Sequence, residues 1–134
     1  MPAFAATAEV AAPPEEVWKL LYDPSRFPDW WAGIEAVEPG DRKGGDGDIT
    51  FYPDGYPDFP MPQQLATSSD ERMVRISCLV SDLRFEWRLA ERDGGTLITV
   101  DVEIPEEESH RLAAKRESIA ASLGNLARLA VSAR

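Results

Sequence analysis

Period-two alternation opens the chain. Phe4, Ala6, Ala8 and Val10 fall on one face of an extended segment, with Thr7 and Glu9 on the other, the pattern of a half-buried strand. The period then changes. Ala12-Pro13-Pro14-Glu15-Glu16 leads into Val17, Trp18, Leu20 and Leu21 at helical spacing, and proline is accepted in a first helical turn because those amides lack intrahelical acceptors. Pro24 and Pro28 interrupt the helical pattern after Tyr22, so two short helices are expected, from about 14 to 22 and from about 25 to 30.

From Ile34 onward the pattern is one of strands and turns. Gly40 to Asp48 is the most glycine-rich turn, and Ile49 to Tyr52 resumes a strand. The stretch from Pro53 to Pro62 carries Pro53, Pro57, Pro60 and Pro62, which donate no ladder hydrogen bonds, and predicts a long loop at a rim or lid. Segments near 63–67, 73–80, 83–91 and 96–104 then predict an antiparallel meander. Its apolar sets are Val74, Ile76, Cys78 and Val80, then Leu83, Phe85, Trp87 and Leu89, then Ile98, Val100, Val102 and Ile104. Arg84, Glu86, Arg88, Asp101 and Glu103 occupy the alternate positions, so one side of the sheet is expected to be wet. After Pro105, Glu106-Glu107-Glu108 places negative charge where a helix dipole favours it, and one helix is expected from there to about Ala130. Its apolar stripe is Leu112, Ile119, Leu123, Leu126 and Ala130, with Arg116 inside it. The fold class is α+β, with a long helix laid on the apolar face of a curved antiparallel sheet.

Composition narrows the options. A chain of 134 residues, 43% hydrophobic and 28% charged, fits one globular domain over 1–134. No apolar run approaches the ~20 residues of a membrane span, and no basic segment followed by an apolar core and cleavage site marks secretion, so a cytoplasmic protein is expected. A net charge of −10 opposes nucleic-acid backbones and anionic headgroups. Cys78 is the only cysteine, which excludes an internal disulfide and a thiolate metal cluster and suggests a buried, inert thiol.

The polar motifs point to little chemistry. The glycine turn lacks the Gly-Lys-Ser/Thr ending of a phosphate loop, and Asp41, Asp46 and Asp48 lack calcium-loop spacing, so neither a cofactor nor a metal is expected. His110 is the sole histidine, without a second nitrogen ligand or a nucleophile motif, and is expected in solvent. Arg116 has two readings: it snorkels to the helix edge and pairs with a carboxylate, or it is a fixed donor that polarises a carbonyl or stabilises an enolate. Phe85 and Trp87, together with Trp18, Trp30 and Trp31, either fill a core or wall a ligand chamber. Tyr22, Tyr52 and Tyr56 are phenols near the expected rim, weak candidates for acid or base.

Four segments carry a resemblance: Ala12-Pro13-Pro14-Glu15-Glu16-Val17-Trp18, Asp23-Pro24-Ser25-Arg26-Phe27-Pro28-Asp29-Trp30-Trp31, the Gly40–Gly47 turn, and Ser122-Leu123-Gly124-Asn125-Leu126. With the element order, they make the chain similar to the helix-grip superfamily of START-like lipid-transfer, birch-pollen-allergen-like and bacterial polyketide cyclase/dehydrase-like proteins. The resemblance spans nearly the whole chain. It implies a cavity between sheet and helix for a hydrophobic small molecule, with no cofactor or metal. Trp30, Phe85, Trp87, Ile119 and Leu123 are the expected lining, with Arg116 as polar anchor and best catalytic candidate. A polyketide-like ligand held folded for cyclisation or dehydration is one expectation. A non-catalytic carrier or sensor of a lipid-like molecule is another, and a structural module with a closed core is a third.

Overall fold

A computed structural model describes residues 3–43, 46–56, 58–79 and 83–132. β1 (Ala3–Val10) leads into α1 (Pro14–Leu21), a 3-10 turn (Pro24–Arg26) and α2 (Phe27–Trp30). The meander continues as β2 (Ile34–Lys43), β3 (Asp46–Pro53), β4 (Met61–Ser68), β5 (Met73–Cys78), β6 (Arg84–Arg92) and β7 (Gly95–Glu103). A second 3-10 turn (Glu106–Arg111) precedes α3 (Leu112–Ser132). Among the described residues, seven strands form one antiparallel sheet in the order β1-β7-β6-β5-β4-β3-β2. The helices α1 and α2 thus carry the chain from one edge of the sheet to the other, and the curved sheet holds α3 against its apolar face, the helix-grip architecture.

Register explains the two-faced sheet. Phe4, Val102, Phe85, Ile76 and Leu65 pair in one cross-strand row, and Ala6, Val100, Trp87 and Val74 in the next. Because side chains alternate, each inward row is flanked by an outward one. On that outer face Glu86 accepts from Arg75 at 2.8 Å and from Arg88 at 2.6 Å, and Arg88 also reaches Asp101. The tight β6–β7 hairpin needs positive φ at both central residues, which Asp93 (51°) and Gly94 (81°) provide.

Two expectations change. The acidic triplet opens the 3-10 turn, and the α-helix begins only at Leu112; negative charge suits the first amides of either helix type, so the sequence signal does not separate them. Pro53 and Pro62 lie at strand ends, opposite Ile34 and Thr50, so the proline-rich connection between strands is only 54–60. The inward orientation expected of Val80, and the apex of the glycine turn at Gly44-Gly45, lie outside the described residues.

Candidate functional site

The segment that joins α2 to β2 is stitched to α3 through its backbone. Ser122 Oγ accepts from the Ala32 amide at 2.9 Å and donates to the Ser118 carbonyl at 2.7 Å, while Ser118 Oγ donates to the Ala32 carbonyl at 3.0 Å. Asn125 Nδ2 donates to the Trp30 carbonyl at 3.2 Å. A tight exit from a four-residue helix leaves such backbone groups unpaired, and burial without partners would cost roughly 1–3 kcal/mol each. The polar residues of the 122–126 segment therefore position the Trp30-Trp31 pair.

That pair sits at the centre of an aromatic cluster. Trp31 lies past the end of α2 with extended backbone (φ −81°, ψ 107°). Trp31 stacks on Trp30 at 5.4 Å and takes edge or tilted contacts from Phe27, Phe51, Phe85 and Trp87 at 5.0–5.5 Å. Trp30 and Trp87, in T-shaped contact at 5.0 Å, are fully buried. The indole of Trp30 donates to the Leu20 carbonyl at 2.9 Å, whereas the indole nitrogen of Trp87 has no hydrogen-bond partner among the described residues. These rings plug one end of the space between sheet and helix.

Beyond the plug the space opens into a cavity of about 520 Å³. Trp31, Phe51, Met61, Leu83, Phe85 and Ile119 provide its apolar wall, and Pro53, Tyr56 and Phe59 bring the β3–β4 connection to the mouth. Tyr56 and Phe59 are 66% and 61% exposed, so the mouth carries aromatic surface in contact with water. Gln63 is buried on the wall in phase with Leu65, and its amide donates to the Met61 carbonyl at 3.2 Å. Cys78, Ser118, Arg111 and Lys115 supply the other polar positions. Cys78 is half-buried at the cavity, a correction to the inert core thiol expected of it.

The residues expected at the site separate into two groups. Phe85 and Ile119 line the cavity. Trp30, Trp87 and Leu123 do not; they belong to the buried core, with Trp30 and Trp87 inside the aromatic plug itself. Arg116 is exposed, with its guanidinium carbon 5.3 Å from the centroid of the Phe4 ring, so α3 turns it toward the β1 edge of the sheet. It snorkels as one sequence reading allowed, but onto an aromatic face rather than a carboxylate. Tyr22 is exposed and stacked on Trp18 at 5.7 Å, and neither is on the cavity wall. Tyr52 donates to Glu38 at 2.9 Å, and that hydrogen bond raises its phenol pKa. His110 is exposed. Asp46 accepts from the Thr67 amide at 3.0 Å, and no group of metal ligands occurs among the described residues.

The expected lining names Trp30 rather than its neighbour Trp31, which the sequence offers only as core or wall, and it misses Gln63, Arg111 and Lys115. The spacing Arg111, Lys115, Ser118, Ser122 is that of one helical face and could have found the cations; Gln63 could have been found from its alternation with Leu65. Burial lowers the pKa of Lys115, as does the neighbouring Arg111 charge, against opposing contributions from Glu108 and Cys78.

The arrangement has known counterparts. Residues 1–131 match the family described as polyketide cyclase/dehydrase and lipid transport. The ZhuI aromatase/cyclase of a Streptomyces species is 20% identical and superposes with a TM-score of 0.79 over 96% of this chain and 93% of that one. A START superfamily protein from Mycobacterium smegmatis is 17% identical, with a TM-score of 0.73 over 95% and 98% of the two chains. The di-domain aromatase/cyclase BexL, from the BE-7585A biosynthetic pathway, is 14% identical, with a TM-score of 0.79 over 96% of this chain and 46% of its own. No functionally curated protein matches the sequence. No helix among the described residues is long and apolar enough to cross a membrane. From its first residue to 131, the chain belongs to the polyketide cyclase/dehydrase and lipid transport family.

Proposed function

We propose that this protein binds an apolar, aromatic or polyketide-like small molecule in the cavity between α3 and the sheet, as a cytoplasmic protein. The observation that carries the reading is a cavity of about 520 Å³ walled by Trp31, Phe51, Met61, Leu83, Phe85 and Ile119. That volume lies within the ~300–1,000 Å³ of small-molecule sites, and the apolar wall supplies the driving force for a hydrophobic ligand. The family description, which names cyclase/dehydrase and lipid transport together, agrees with this class of ligand.

A second reading uses the same cavity: the bound chain is held folded so that it cyclises or loses water, with orientation supplying much of the rate. The aromatase/cyclase names of two structural neighbours favour it. One experiment tests the shared core of both readings. A neutral fluorescent probe, N-phenyl-1-naphthylamine, should bind the wild-type protein with one equivalent and should be excluded when Ser118→Phe fills the cavity beside Ile119. Equal binding to folded wild type and variant, or to neither, would overturn the proposal.

A further inference from the structure

The described lining of the cavity includes two cations, Arg111 and Lys115, and no carboxylate, in a chain with 24 acidic side chains against 14 basic ones. We propose that the ligand is an apolar carboxylic acid whose carboxylate sits against Lys115, with Arg111 beside it nearer the solvent; this rests on the cavity being the ligand site.

The argument begins with the cost of the arrangement. Lys115 and Arg111 flank the start of α3, where the helix dipole disfavours positive charge. Arg111 is exposed and pairs with Glu108 at 3.6 Å. Lys115 is half-buried and forms no ion pair among the described residues. An unpaired ammonium drawn out of water is a net cost to the fold, and a bound anion would offset it.

The neighbouring polar groups are already engaged. Ser118 donates its hydroxyl to the Ala32 carbonyl and Gln63 donates its amide to Met61, so most of the donor capacity left on the wall belongs to the two cations, Lys115 and Arg111. One ammonium and one guanidinium match the two oxygens of a carboxylate. The remaining wall is aromatic and aliphatic, which calls for an apolar body behind that single charged group.

The test pairs 2-naphthoate with 2-naphthamide, nearly equal in shape and differing in charge, in calorimetric titrations of wild type, Lys115→Met and Lys115→Arg. Wild type should prefer the carboxylate by roughly tenfold, the size of one charge-assisted hydrogen bond. Lys115→Met should remove the preference while leaving the affinity for the amide within about twofold, and Lys115→Arg should keep most of it. If wild type binds both equally, or if the preference survives Lys115→Met, the carboxylate anchor is rejected while the cavity reading stands. Binding of neither compound rejects both.

Discussion

Trp30 and Trp87 are both fully buried indoles in contact with each other, yet one hydrogen-bonds and the other does not. Replacing either by phenylalanine removes the same atoms, so the cavity and transfer losses cancel to first order when the two variants are compared. The hydrogen bonds do not cancel. In Trp30→Phe the Leu20 carbonyl, in the last turn of α1 where helical donors have run out, loses its indole partner at 2.9 Å. In Trp87→Phe a buried N–H that has no partner among the described residues is deleted, and its desolvation penalty goes with it. Ring faces centred 5.0 and 5.2 Å away offer that hydrogen at most a weak π acceptor. Stranding one polar group while relieving another should separate the variants by roughly 2–4 kcal/mol, with Trp30→Phe the less stable. Urea denaturation monitored by far-ultraviolet circular dichroism measures the difference without depending on the altered fluorophores. Equal destabilisation, or a larger loss in Trp87→Phe, would refute the hydrogen-bond assignment.

The site carries three further expected outcomes. Ser122→Ala should cost about 1–3 kcal/mol in denaturant titrations, because it leaves the Ala32 amide without its acceptor; a loss below about 0.5 kcal/mol would show that the seam does not hold Trp31 in place. Burial sets the folded pKa of Lys115 below its unfolded value, so between the two values the unfolded chain binds more protons and stability rises with pH. Lys115→Met should therefore be more stable than wild type at neutral pH, with the gap narrowing as pH rises through the folded value toward that of free lysine; thermal melts across this window that show a constant gap would contradict the burial argument. Cys78 lines the cavity, so saturating N-phenyl-1-naphthylamine should slow its alkylation by iodoacetamide several-fold, and an unchanged rate would place the probe elsewhere.

Sheet structure was legible because half-buried strands must alternate. Val74, Ile76, Phe85, Trp87, Ile98, Val100 and Val102 all point inward as their spacing predicts. The cavity was less legible, since it depends on where one helical stripe ends and the next face begins. Arg116 is four residues after Leu112 and three before Ile119, a spacing that fits the stripe, but the cavity faces the strip through Arg111, Lys115, Ser118 and Ile119. Sequence periodicity fixes angles about a helix axis but not the distance of a side chain from the sheet edge, and at Arg116 that distance decides. The tryptophan pair shows a related limit. Both rings read as wall and both belong to the plug, yet only Trp31 reaches the cavity, while Trp30 is spent on core packing.

The most direct measurement of ligand binding is an isotope-filtered nuclear Overhauser spectrum of the labelled protein loaded with unlabelled N-phenyl-1-naphthylamine. Contacts from the probe's aromatic protons to the methyl groups of Met61, Leu83 and Ile119 and to the rings of Trp31 and Phe85 are predicted. Contacts confined to exposed residues such as Tyr22 or Val131, with none from the cavity wall, would contradict the account.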